Sequence, residues 1–305
     1  MDYFKNMNNF ELNRFHSVIF FILTVFLSGS SLFGDYVLPL EKKIPSIFSV
    51  ICFFLIATIG VSHGALDNLK GAQLLKKFKI KNILFFYLSY LVIASFVVLF
   101  WIIFPTFTII MFLVFASYHF GKEDNVQLYV FEKMPNIKFK SFFLFLKGSI
   151  VISAPLFMHP VETFQIFKVL NVELTISQNL VGIFIILSLV SHYFLNEFWG
   201  QATLDTISIL FLNLIFHPLI AFTLYFCFLH SIRHSISLMH ELNKKDLKKG
   251  FYLFLKKAAP LTIITALLFI LGIFFLSNYY TLQASILKVI FIGLASLTFP
   301  HILLE

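Results

Sequence analysis

The stretch ATIGVSHGALDNLKG at residues 57–71 carries a long apolar run up to His63, then turns polar at Asp67 and basic beyond it. Three later segments repeat that step: SYHFGKED at 117–124, LHSIRHS at 229–235 and FPHILLE at 299–305. In each, imidazole appears where a hydrophobic segment is ending. The surrounding chain explains what kind of segment that is. Of 305 residues, 59% are hydrophobic and 12% charged, with a mean hydropathy of +0.90. A soluble globular domain averages about 45–50% apolar and about 25% charged residues, so this chain has too little polar surface to stay in water. Its apolar runs repeatedly reach the roughly 18 residues that a bilayer-crossing helix needs. The composition therefore predicts an all-α polytopic integral membrane protein, with residues 1–305 forming one transmembrane domain.

Apolar runs fall at 16–34, 45–63, 82–104, 105–121, 142–158, 177–195, 204–217, 218–240, 259–279 and 283–303, which predicts about ten transmembrane helices. Pro105 and Pro218 are expected to open helices, since proline is tolerated in a first turn. The segment 67–81 holds five lysines against one aspartate, and 241–257 holds six lysines against one glutamate and one aspartate. Both read as cytoplasmic by the positive-inside rule. The segment 159–176, with one lysine and two glutamates, suits the opposite side. Ten spans then put both termini in the cytoplasm, in a multi-pass protein of the cell membrane. No cleavable leader is expected from the mixed-charge start MDYFKNMNNFELNRF. The net charge of +8 resides in short inter-span lysine clusters, so no nucleic-acid partner is expected. Cys52 and Cys227 both lie inside apolar runs and predict neither a disulfide framework nor a thiolate site.

With this count every even-numbered span ends at the same leaflet, and the histidines collect there. His63 closes the second span, His119 the fourth and His301 the tenth, while His230 and His234 occupy the inner half of the eighth. Ionisable groups inside membrane helices are costly and mark function, and neutral imidazole is the commonest ligand for Fe, Zn, Cu or Ni. His230 and His234 share a helix face by their i,i+4 spacing. Taken singly, such a histidine also serves as a helix–helix hydrogen-bonding residue; the co-level group is what points to a metal. Asp67 follows His63 by four residues, Glu123 and Asp124 follow His119 by about a turn, and Glu305 follows His301 by four. Carboxylates at these positions are suited to accepting the free ring N–H of a ligating histidine, directly or through water. His192, near the inner end of the sixth span, is an expected outer-sphere or substrate-lining residue. Arg233 is expected to snorkel or to pair with a carboxylate.

The motifs HGALD (63–67), YHFGKED (118–124), LHSIRH (229–234) and TFPH (298–301), in this order, resemble the Brp/Blh family of membrane-bound β-carotene 15,15′-dioxygenases of bacteria and archaea. The resemblance runs from the second span to the end of the chain. Asn68 departs from it, standing where the family pattern carries proline. It implies cleavage of the central double bond of β-carotene by O2 to give two retinal molecules, with Fe(2+) as cofactor and His63, His119, His230 and His234 as its ligands. Asp67, Asp124, His192 and His301 are then further residues around the iron or additional ligands. It also implies a microbial rhodopsin as the recipient of retinal. A polyene without a polar handle needs an apolar, aromatic channel, for which Tyr118, Tyr225 and Phe226 are candidates, with Phe115, Phe120 and Phe228 nearby. Because the iron is expected near the inner leaflet while cleavage is central, the substrate is expected to enter sideways from the lipid. A transporter or a metal- or haem-binding membrane protein could use the same histidines. A transporter, however, would need polar groups along the full depth of several spans, and here they crowd at one end. A histidine-rich lipid desaturase would carry HxxHH-type clusters, and none occurs.

Overall fold

The computed structural model describes residues 9–33, 46–124, 139–195 and 200–304. Among these there are helices and no strands. In chain order they are α1 (Asn9–Phe33), α2 (Ser46–Leu55), α3 (Asp67–Lys77), α4 (Leu84–Ile103), α5 (Pro105–Glu123), α6 (Lys140–Gly148) and α7 (Ile150–Met158). There follow α8 (Pro160–Val169), α9 (Gln178–Phe194), α10 (Gln201–Ile215), α11 (Pro218–Leu224), α12 (Ile232–Leu242), α13 (Leu247–Leu276) and α14 (Leu282–Ile302). An all-helical chain is the expected solution for so apolar a sequence, because lipid offers no partners for backbone N–H and C=O groups.

Among the described residues, seven continuous helical stretches are long and apolar enough to cross a membrane: Glu11–Gly29, Ser46–Lys77, Leu84–Ile103, Lys140–Met158, Pro218–Leu242, Leu247–Leu276 and Leu282–Ile302. The runs expected at 105–121, 177–195 and 204–217 are helical too, as α5, α9 and α10, but stand outside that set. Pro105 and Pro218 do open their helices, as N-terminal prolines of α5 and α11.

Two segments read from sequence as loops are helices. Residues 67–77 form α3, whose Lys76 and Lys77 sit in the last turn, where the helix dipole favours cations. Residues 160–169 form α8, opened by Pro160 and carrying Glu162 in its first turn. Helix α13 also starts well before the expected boundary at 259. Its lysine-rich first turns continue the same 30-residue helix, capped by Asp246, whose carboxylate accepts from the amides of Lys248 and Lys249. High charge alone did not break these segments, because lysine is a good helix former.

Helix α13 is peripheral: only 6% of its most apolar window is buried. Large apolar side chains such as Val92 and Ile102 on α4 and Phe274 on α13 are exposed. In a membrane these faces meet lipid, while α2, α11 and α14 contribute to the inner packing.

Two irregular segments position the site. Helix α2 passes into a π turn at Ile56–Gly60 and then a tight 3-10 turn at His63–Leu66 before α3 begins. Helices α11 and α12 are joined by a π segment at Tyr225–Ser231. The two segments pack on each other. A Cβ on Gly60 would stand 2.7 Å from the Phe226 ring, and Ser231 donates to the Gly60 carbonyl at 2.9 Å. Single π turns inside α-helices are rare and concentrate at functional sites. Here they carry the chain past His63 and His230.

Candidate metal centre

Five buried histidines from four parts of the chain close into a ring. Ring centroids are 5.2 Å apart for His119–His230 and His230–His63, and 5.3 Å for His63–His234. They are 6.0 Å apart for His234–His301 and 5.1 Å for His301–His119, which completes the circuit. His63 and His301 also approach across it at 5.4 Å. Within this group, ring nitrogens of His63, His119 and His230 all lie within 4.8 Å of one another. His63 comes from the 3-10 turn after α2, His119 from the last turns of α5, His230 from the π segment, His234 from α12 and His301 from the end of α14.

Three of the five imidazoles are held at Nδ1 by carboxylates. Asp124 Oδ1 lies 2.9 Å from Nδ1 of His230, and Glu123 Oε2 lies 3.3 Å from Nδ1 of His234. Asp67 embraces Nδ1 of His301 with both oxygens, at 2.8 and 2.9 Å. A carboxylate at Nδ1 fixes the tautomer with the proton there and turns the Nε2 lone pair away from it, toward a cation. Asp67 thus serves His301, and Asp124 and Glu123 serve His230 and His234. The carboxylates therefore pair across helices and not with the histidines preceding them in sequence. Glu305, expected beneath His301, lies outside the described residues.

The carboxylates are themselves tied down. The Tyr225 hydroxyl donates to Asp124 Oδ2 at 2.7 Å. The Tyr90 hydroxyl stands 3.1 Å from Asp67 Oδ2 and 3.1 Å from the Leu297 carbonyl. Arg233 does not reach the headgroups: it is buried and grips both oxygens of Asp205 at 2.7 and 3.0 Å, donating also to the Ser17 hydroxyl at 2.6 Å. Tyr90, Asp205 and Ser17 carry no signal in the sequence that singles them out. They lie on α4, α10 and α1. His192 lies in the last turn of α9, with Nε2 2.9 Å from the Thr206 hydroxyl of α10, outside the ring of five.

The donor set fits a transition-metal ion. Nδ1 of His63 and Nε2 of His230 are buried with no hydrogen-bond partner. Buried polar atoms are almost always satisfied, and nitrogens that face one another unsatisfied are what a cation would resolve.

A cavity of about 400 Å3 opens beside the histidines. His63, His119 and His301 form its polar end, and the rest of its wall is mainly apolar, from α4, α13 and α14. Phe226 and Phe120 line it; Tyr118 and Tyr225 are not among its lining residues. Along α4 it extends from Phe86 to Ala94, about 12 Å at 1.5 Å per residue. A bilayer's hydrocarbon core is about 30 Å thick, so the cavity does not run its depth. Its wall includes Leu91 on α4 and Ile264 and Leu268 on α13, all more than half exposed. The cavity therefore meets the outer surface between those two helices.

Residues 54–305 match the family model described as "Beta-carotene 15,15'-dioxygenase". The chain is 29% identical, over 258 residues, to a protein of uncultured marine bacterium 66A03 that carries the same description. That alignment covers 82% of this chain and 90% of the relative. No solved structure matches the chain significantly.

Proposed function

Since the chain belongs to the β-carotene 15,15′-dioxygenase family, we propose that it cleaves β-carotene at the central double bond with O2, using iron held by His63, His119, His230 and His234. The observation that carries this reading is the junction of two environments. A ring of buried imidazoles forms one end of an otherwise apolar cavity that reaches the lipid-facing surface. A transporter would need a polar route through the membrane, whereas this cavity ends at the histidines.

In the reaction the C15–C15′ double bond is broken and each carbon takes one oxygen atom of O2, so one C40 hydrocarbon yields two retinals. Held by these histidines, iron(II) would supply the redox chemistry that lets triplet O2 react with a closed-shell alkene. The chain's own contribution is positioning. Asp124 and Glu123 hold Nδ1 of His230 and His234, which fixes the orientation of each ring and leaves its Nε2 to face a cation. Phe120 and Phe226 present aromatic surface beside the histidines, where the middle of a polyene would lie. The apolar wall excludes water and holds the substrate near the centre, which supplies orientation and not acid–base chemistry.

The short extent of the cavity along α4 and its opening between α4 and α13 support entry from the side. β-Carotene would leave the bilayer core and lie tilted past the histidines, with its midpoint reaching a centre near one leaflet. We assign the protein to the cell membrane, with ten spans in one domain and both termini cytoplasmic, and retinal released to a microbial rhodopsin.

The test is expression in a bacterial host that accumulates β-carotene, followed by chromatography of membrane extracts. Two retinals formed per carotenoid lost are expected. Unchanged carotenoid in membranes containing folded, iron-loaded protein would remove β-carotene as the substrate.

A further inference from the structure

We infer that His301 is a fifth imidazole of the metal centre, oriented by Asp67 and, through Asp67, by Tyr90. The inference rests on the reading of the histidine ring as an iron site and extends its ligand set. Three independent features single out His301. First, it closes the ring: its centroid lies 5.1 Å from His119, 5.4 Å from His63 and 6.0 Å from His234. The first two are close to the 5.2–5.3 Å that separates neighbouring rings among the other four, and the third is wider. Second, its Nδ1 meets a carboxylate, as Nδ1 does in His230 and His234, and with the shortest contacts of the three. A histidine buried to 4% exposure beside a two-oxygen carboxylate has its proton fixed on Nδ1 and its Nε2 lone pair directed away. Third, Asp67 is braced in turn. The Tyr90 hydroxyl lies within hydrogen-bond distance of both Asp67 and the Leu297 carbonyl, one turn before His301. Tyr90 therefore ties α4 and α14 to the carboxylate that orients the ring.

This arrangement matters for the chemistry because His301, Asp67 and Tyr90 all line the cavity. With five imidazoles a six-coordinate ion retains one open position. With O2 in that position the alkene would have none at which to bind the ion and would be held by the apolar wall alone. Asp67 and Tyr90 are positioning residues; His301 is the ligand.

The experiment is iron retention, measured without substrate. Wild-type protein and the variants H301G, D67N and Y90F are purified in detergent, loaded anaerobically with Fe(II), and challenged with a bipyridine chelator. H301G is expected to lose iron at least tenfold faster than wild type, and free imidazole in the buffer should restore retention. D67N is expected to lose iron about tenfold faster, since outer carboxylates are worth about 10–100-fold in metal affinity, and Y90F several-fold. Cobalt(II)-loaded H301G should show an altered ligand-field absorption that imidazole reverses. Wild-type retention in H301G, with an unchanged cobalt spectrum, would overturn the assignment. So would faster loss in H301G that imidazole does not restore while D67N holds iron normally. Parallel H63Q and H230Q variants separate the two levels. If they lose iron and H301G does not, the iron site stands without His301. If wild type itself holds no iron, the underlying site reading falls as well.

Discussion

Tyr225 donates its phenolic hydrogen to Asp124 Oδ2 at 2.7 Å, while the other oxygen of that carboxylate holds Nδ1 of His230 at 2.9 Å. The two contacts make a relay that starts and ends on one segment, since Tyr225 and His230 both belong to the π segment at 225–231. The carboxylate between them comes from Asp124, the residue that caps the C-terminus of α5. The relay fixes the imidazole of His230 from the side opposite the ring of histidines. Asp124→Asn keeps the shape but loses the charge that makes the imidazole a better donor. It is expected to weaken iron binding by about 10–100-fold. Tyr225→Phe leaves the carboxylate in place and is expected to weaken binding only several-fold. Equilibrium competition with a chelator measures both, and equal effects would show that the carboxylate does not act through its charge.

Arg233 and Asp205 form a second buried pair, tied to the site because Arg233 also approaches the Asp124 carbonyl at 3.4 Å. Removing one partner strands a charge where water is scarce. Breaking a buried pair costs about 3–5 kcal/mol, whereas replacing both partners with apolar residues is often neutral. Asp205→Ala is therefore expected to lower the thermal midpoint in detergent by many degrees. The double variant Asp205→Ala with Arg233→Met should recover most of the loss. A double variant no more stable than the single one would mean that the pair acts through packing.

Gly121 lies two residues beyond His119, where α5 and α6 touch backbone to backbone. A Cβ on Gly121 would stand 1.8 Å from the Leu144 carbonyl oxygen, and one on Gly148 would stand 1.9 Å from the Ser117 carbonyl oxygen. Neither neighbour is a flexible side chain, so the helices must separate to admit a methyl group. Gly121→Ala is expected to cut the yield of folded protein several-fold and to loosen iron in what remains, since His119 moves with α5. Gly29→Ala meets nothing within 4 Å and should behave as wild type. Size-exclusion profiles of the two variants side by side check this.

Much of the architecture can be read from the sequence, because hydropathy dictates helices in lipid and the ends of apolar runs announce the histidines. The partner of each histidine cannot. Asp67 follows His63 by four residues, which on a continuous α-helix would place it one turn below. The 3-10 turn at His63–Leu66 changes the phase of the chain, and Asp67 opens α3 facing His301 of α14. Glu123 and Asp124 likewise leave His119 and serve His234 and His230, because α5 ends against α12 and the π segment. Irregular turns of this kind have no period in the sequence to betray them. The cavity wall was equally hidden. Among 43 phenylalanines, nothing in composition distinguishes Phe226, which lines the cavity, from Phe96, which faces outward. Tyr225 looks like a channel residue by its neighbours and proves to be a hydrogen-bond donor to Asp124.

The cavity itself yields the last prediction. Ala94 lines the cavity on α4, one turn beyond Tyr90. Ala94→Phe would place a ring in the space between α4 and α14 without adding charge or removing a ligand. If substrate occupies this cavity, turnover of β-carotene should fall at least tenfold while iron content and chelator resistance stay at wild-type values. Thr265→Phe, on the facing side of α13, should act the same way. The separation of the two readouts is what gives the test its force, because a variant that merely misfolds would lose iron together with activity. Full turnover in both variants, with iron bound, would mean that the polyene reaches the histidines by a route other than the gap between α4 and α13.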